Sequence, residues 1–249
     1  MPGDLHTHTN FSDGSCPAEW LPRLAAAAKM DTLAITDHDS MASVRFGYAH
    51  PQLNGVRLIP GMELSGYDNV RGSKVHILCY WPRGCEALQA HCDRMAERRR
   101  NALEQSMQLL QQRCPQFRRE DAMAYAQNSE GALYKAYVMR ALMEYGLADG
   151  VYGSVYKQLF RPVQEGGISF RFSYPDCREL LQLGRQCGGV VVLAHPGVYN
   201  NIELMKELAA EGLLDGIELD HPRNTPKDRA EILQTAQQYG LILTGGTDF

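Results

Sequence analysis

Seven cysteines are spread through the 249-residue chain (Cys16, Cys79, Cys85, Cys92, Cys114, Cys177 and Cys187), and no two form a C-x-x-C pair. A structural zinc knuckle therefore has no support, and an odd number of scattered cysteines reads as reduced thiols in a cytoplasmic protein. No apolar run approaches membrane-spanning length, and no charged segment followed by an apolar stretch opens the chain. Neither a membrane anchor nor a signal peptide is expected. Excess positive charge is missing too: 25 Lys and Arg against 29 Asp and Glu leave a formal net charge of -4. That balance argues against bulk electrostatic binding to nucleic acid but leaves room for a local basic patch facing a phosphorylated substrate. Internal repeats and low-complexity segments are absent. What remains is a 44% hydrophobic composition, enough for a sizeable core in one large domain or in a domain carrying an insertion.

The chemistry begins in the stretch Asp4-Leu5-His6-Thr7-His8, followed by Asp13-Gly14. Side chains alternate along a strand, so Asp4, His6 and His8 point one way while Leu5 and Thr7 point the other. Two imidazoles then converge at one strand end, and neutral imidazole nitrogens are good ligands for divalent metals. One H-x-H alone is equally a half-exposed strand with two surface histidines, so the rest of the chain must decide.

Helical spacing predicts a helix over 16–30, with Pro17 in its first turn, and others over 41–50, 176–186, 202–211 and 227–239. Short apolar runs at 32–36, 56–60, 74–80, 190–194, 215–219 and 241–244 read as strands, and their alternation with helices predicts a βα architecture with a parallel sheet. From 86 to 156 the chain reads as almost all helix, which interrupts that pattern.

Set at the strand ends are His6 and His8, then His38, Glu63, His195 and Asp248, with His76 inside its strand. Five of the eight histidines fall in this set, while His50, His91 and His221 fall outside it. Singly, His38 could cap a helix, Glu63 could pair with an arginine, His76 could be a core imidazole and Asp248 a turn residue. Jointly, in a parallel barrel whose strand ends meet on one face, they point to a metal site. A ligand set of nitrogen and oxygen without cysteine suits zinc, manganese or iron.

The motifs D-L-H-T-H-T-x-x-S-D-G, I-T-D-H-D, G-x-E, V-H-I-L, L-A-H-P and the closing T-D-F, in that order, resemble the PHP family, named for polymerase and histidinol phosphatase domains. The resemblance spans nearly the whole chain. It implies an α/β fold, a distorted seven-stranded (β/α) TIM-like barrel formed by residues 1–82 and 170–249, with 83–169 as an inserted helical subdomain. It also implies two to three divalent metal ions. His6, His8, Glu63 and Asp248 would hold one; Glu63, bridging, with His76 and His195 a second; Asp13 and His38 part of a third. Glu63, His195 and Asp248 would be the catalytic members, and Asp4 and Asp37 would orient ligand imidazoles.

A phosphate ester resists hydrolysis so strongly that a site must supply a strong nucleophile and neutralise phosphoryl charge together. A hydroxide bridging two metal ions would do so by in-line attack. Lys135 and Arg140 stand where the nucleotide-directed branch of the family commonly shows Arg-x-His and then an arginine, and Arg98 is the candidate from the run Arg98-Arg99-Arg100. Adjacent helical residues splay about 100° apart, so only one or two of that run can face a common site. Tyr134, Tyr137 and Phe160 could supply a surface for a base or could be core. Asn224 replaces a further histidine often found in the family.

The expected activity is phosphomonoester hydrolysis on a nucleotide or nucleotide bisphosphate, extending to the 5′ end of short RNA, with no membrane and no obligate protein partner. The alternatives are a histidinol-phosphate or other sugar or polyol phosphatase, and a non-catalytic PHP interaction module, which loss of metal ligands would mark. The family motif closes as T-D-x-H, whereas this sequence ends at Thr247-Asp248-Phe249. The reading is that the natural protein continues past Phe249 into a histidine and a covering helix.

Overall fold

The structure is a computed structural model that describes residues 2–249. Strands β1 (Gly3–Thr7), β2 (Thr32–Ile35), β4 (Val56–Asp68), β5 (Ser73–Tyr80), β6 (Val190–Leu193), β7 (Gly216–Asp220) and β8 (Ile242–Gly245) lie side by side in that order. The two-residue β3 (Gln52–Leu53) folds back antiparallel on β4. Seven strands thus curl into the nearly closed α/β barrel that was expected. Between β8 and β1 the gap is bridged beyond the strand ends, where Asp248 N–H donates to His6 O (2.9 Å) and His8 N–H donates to Phe249 O (2.8 Å).

The sheet is not all parallel. β5 runs antiparallel to both its neighbours, β4 and β6, while the other pairs on the main path are parallel. Its amino-terminal half therefore lies at the end where the other strands finish. His76, inside the strand in sequence, reaches that same face. β4 also runs beyond Pro60, where the apolar run stops: Arg57 to Pro60 pair with β2, and Gly61 to Asp68 then pair with β5. Pro60 stands where the strand changes partners, so its missing N–H interrupts no continuous ladder.

Apolar side chains of β2, β4, β5 and β6, namely Ala34, Ile59, Leu78, Tyr80 and Val192, fill the barrel. Outside it pack α1 (Leu21–Ala27), α2 (Met41–Ala49), α7 (Cys177–Gln186), α8 (Ile202–Ala210) and α9 (Pro226–Tyr239). α1 starts later than the apolar spacing predicts, with Pro22 rather than Pro17 in its first turn. α2 crosses β4 so closely that a Cβ on Gly47 would stand 2.6 Å from Pro60 Cα. Gly47→Ala must push helix and strand apart, and a loss of about 1–3 kcal/mol in denaturant unfolding is expected. An unchanged midpoint would show that the two elements separate freely.

Between β5 and α7 lie α3 (Glu86–Arg113), α4 (Arg119–Met123), α5 (Lys135–Glu144) and α6 (Ser154–Leu159). They share an apolar core of their own, including Met107, Phe117, Tyr137, Met139 and Ile168. The expectation of seven reduced thiols is corrected here: Cys85 before α3 and Cys187 after α7 are joined in a disulfide. They are 102 residues apart in sequence, and only the fold, with Arg83 N–H donating to Cys187 O, brings them together. No helix among the described residues is long and apolar enough to cross a membrane.

Candidate metal centre

The site forms where β1, β2, β6, β7 and β8 end and where β4 and β5 pass side by side. Glu63, fully buried in β4, lies at its middle. Its carboxylate oxygens stand 3.4 Å from His6 Nε2, 3.3 Å from His8 Nε2, 2.9 Å from His38 Nδ1, 2.9 Å from His76 Nδ1 and 3.1 Å from His195 Nε2. Asp248 Oδ1 lies 3.1 Å from His8 Nε2 and 3.6 Å from His6 Nε2. Three overlapping groups have donor atoms within 4.8 Å of one another: His6, His8, Glu63 and Asp248; His8, Asp13 and His38; and His38, Glu63 and His76. His38 thus sits against Glu63 as well as beside Asp13.

These donors suit a divalent ion. His6 Nε2, His8 Nε2, His38 Nδ1 and Glu63 Oε2 are buried, converge, and have no hydrogen-bond partner. Several such orphans in one place are costly unless something else satisfies them. His6 donates its Nδ1–H to Glu218 Oε1 (2.9 Å), which leaves Nε2 facing Glu63 and Asp248, free to give up its proton to a metal ion.

Electrostatics follow the packing. Burial opposes a charge on His6, but Glu63 and Glu218 outweigh it and raise its pKa to about 10. Burial instead dominates at His76, whose pKa it lowers to about 4 despite Glu63. Burial alone would raise the Glu63 carboxyl, yet the imidazoles around it, His76 first, hold it well below the ordinary range. Asp248 is likewise held low against burial by His221 and His8. Three of the non-glycine residues with positive φ lie in or next to this cluster, Asp39, His195 and Asp248, at 47°, 27° and 56°.

Residues expected to orient the imidazoles do something else. Asp4 accepts from His6 N–H and from Thr247 N–H and Oγ1, and so ties β1 to the chain after β8. Asp37 accepts from Thr9 N–H and Oγ1 and from Ser12 Oγ, and holds the turn after β1. The orienting carboxylate is Glu218, a buried glutamate in the otherwise apolar first half of β7, whose Oε2 also accepts from His195 N–H (2.8 Å). His221, set aside from the strand-end histidines, directly follows β7, and its Nε2 lies 3.4 Å from Asp248 Oδ2. Asn224 does not reach the cluster; it accepts from Gly197 N–H and donates to Glu218 O and Leu219 O, clamping two loops.

Above the cluster opens a cavity of about 1450 Å³ whose lining includes His8, Asp13, His38, His76, His195 and Asp248. Seven cations, Lys74, Arg99, Lys135, Arg140, Lys157, Arg171 and Arg223, line it against two carboxylates, Asp13 and Asp248. Lys135 and Arg140 are among them, and the Arg140 guanidinium donates to Asp13 O (2.6 Å). Arg98 is not: its guanidinium turns away to Ser173 O (2.9 Å). The next residue around α3, Arg99, faces the cavity instead and donates to Asp39 Oδ2 and Ser65 Oγ, each at 2.7 Å. Of the candidate aromatics Tyr134 and Phe160 line the cavity, whereas Tyr137 is core and donates to Ser12 O.

Residues 4–182 match the PHP domain family. The chain is similar to the phosphoribosyl 1,2-cyclic phosphate 1,2-diphosphodiesterase of Eggerthella lenta, at 36% identity over 99% of this chain and 93% of that one. It is also similar to the 5′-3′ exoribonuclease Rnm of Escherichia coli, at 29% identity over 99% of this chain and 84% of that one. In fold it resembles a solved Bifidobacterium adolescentis chain assigned to the metal-dependent phosphoesterases, with a TM-score of 0.87 and 24% identity over 100% of this chain and 87% of that one.

Proposed function

The chain belongs to the PHP domain family, and from that premise we propose that it is a metal-dependent phosphoesterase acting on small phosphorylated ribose compounds: nucleotides, nucleotide bisphosphates and the 5′ end of short RNA. One observation carries the reading: a carboxylate ringed by five imidazoles lies beneath a cavity whose charged lining is seven cations against two carboxylates. His6, His8, Glu63 and Asp248 would hold one divalent ion, Glu63 with His76 and His195 a second, and His38 with Asp13 a third, the ions being manganese, zinc or iron. Such ions supply a nucleophile at neutral pH and neutralise charge on phosphoryl oxygens. The protein's own part is to hold the donors apart, bind the phosphate and exclude water from the barrel side. Arg140 and Lys135 are the proposed phosphate contacts. Histidinol phosphate carries an ammonium group that this cationic wall would repel, which disfavours the polyol reading.

A second reading has one observation in its favour. The likeness to the Eggerthella lenta enzyme, over 93% of its length, points to a phosphorylated ribose without a base. Phosphate release, with manganese or zinc restored, from nucleotides, nucleotide bisphosphates, 5′-phosphorylated short RNA, phosphoribosyl cyclic phosphate and histidinol phosphate tests both readings. No turnover of any of them would overturn the phosphoesterase assignment.

Lys135 gives the site a pH signature. Burial first, then Lys74 and Arg99, lower its pKa to about 8. It is charged below that value and neutral above it, so kcat/KM is expected to fall as pH rises through about 8. Lys135→Arg stays charged and should move that falling limb upward, whereas Lys135→Ala should raise KM more than it lowers kcat. Identical pH profiles for the native enzyme and Lys135→Arg would remove Lys135 from the binding site.

A further inference from the structure

The helices between β5 and α7 grip one part of the metal cluster and leave the rest to the barrel. Tyr134, directly before α5, and Tyr137 and Arg140 within it are spaced three apart and so follow one side of the helix. Their side chains donate to His38 O (2.8 Å), Ser12 O (2.5 Å) and Asp13 O (2.6 Å). Tyr152, in the chain between α5 and α6, donates its hydroxyl to Asp13 Oδ2 (2.9 Å). From α3, Arg99 holds Asp39, the neighbour of His38. Among the described residues no hydrogen bond from 83–169 reaches His6, Glu63, His76, His195 or Asp248, whose partners all come from the barrel. The donors so gripped are Asp13 and His38, which with His8 form the one group of the three that lacks Glu63. Its only carboxylate is Asp13, carried on a turn.

We propose that Tyr152 is a positioning residue for Asp13, and that through it the docking of these helices is coupled to the occupancy of one ion alone, that of His8, Asp13 and His38. This rests on the phosphoesterase reading and adds a means of regulating it. Whatever draws the helices onto the barrel, substrate in the cavity included, also tightens that ion, and by linkage the ion tightens the helices. The physical reason lies in the carboxylate. Tyr152 pins Oδ2 and leaves Oδ1 on the His8 side, 4.0 Å from Nδ1, so less side-chain freedom is lost when an ion binds. The Tyr152 side chain is itself 60% exposed, so removing its hydroxyl leaves the core packing intact.

The test is a manganese titration of the metal-free protein by calorimetry, native and Tyr152→Phe, with bound ions counted by elemental analysis. The native protein is expected to hold two ions tightly and a third more weakly. Tyr152→Phe should weaken the third about tenfold or more and leave the other two at native affinity. Amide hydrogen exchange supplies the reciprocal readout. In the native protein the manganese concentration that fills the third position should protect residues 145–160, and Tyr152→Phe should abolish that protection. Native affinity for every ion in Tyr152→Phe, an equal loss at all three positions, or exchange in 145–160 that ignores the third ion would overturn the coupling, as would a native protein that takes up only two ions. Each of these leaves the phosphoesterase reading standing if phosphate is still released. A native protein that binds no ion at all would sink both.

Discussion

Glu63→Gln is expected to remove bound metal and to lower phosphate release on the order of 10³-fold or more, while Asp13→Ala should cost far less. The asymmetry follows from position. Glu63 is fully buried and touches five imidazoles, whereas Asp13 lies at the cavity wall 4.0 Å from His8 Nδ1, its other oxygen accepting from Tyr152 Oη. Glutamine keeps the size of the side chain but not its charge, and its NH₂ group would face imidazole nitrogens that need an acceptor or a metal. Cations drawn to one point by a carboxylate have nothing left to offset their repulsion once that carboxylate is neutral. Metal content and steady-state rates measured on the same preparations decide it. Near-native metal content in Glu63→Gln would show that Glu63 bridges nothing.

The convergence of histidines was legible because it needs only strand ends: His6 and His8 close the alternating first strand, His38 and His195 each follow a short apolar run, and a barrel brings such ends together. What was not legible depends on direction and register. Periodicity does not carry a strand's direction, so nothing before the fold could say that β5 is reversed and that this is why His76 sits mid-strand. Whether Arg98 or Arg99 faces the cavity turns on about 100° of helix rotation, which the run of three arginines does not specify. His221 was set aside from the strand-end histidines, although β7 runs to Asp220 and His221 follows it directly. Cys85 and Cys187 meet only because α3 begins where α7 ends. Glu218 did leave a signal: a charged residue between Ile217 and Leu219 in a buried strand demands a partner, and the nearest demand was that of His6 and His195.

That demand makes Glu218→Gln the second large effect expected. One carboxylate serves two donors at once, Oε1 accepting from His6 Nδ1–H and Oε2 from His195 N–H. A glutamine has a single acceptor oxygen and must aim its NH₂ at the other donor. If the oxygen stays with His195, His6 loses its reason to keep the proton on Nδ1; the tautomer with Nε2–H then turns a proton rather than a lone pair toward Glu63 and Asp248. If the oxygen stays with His6, the His195 amide is left buried without a partner, in a residue already held at φ 27°. Either arrangement weakens metal binding, and losses of outer partners of this kind typically reach about 10–100-fold in metal affinity or activity. The effect should act through the metal: adding excess manganese or zinc ought to recover much of the rate in Glu218→Gln but little of it in Glu63→Gln. A metal titration that gives Glu218→Gln the native affinity would mean that His6 keeps its orientation without this carboxylate, held by the β1 backbone alone.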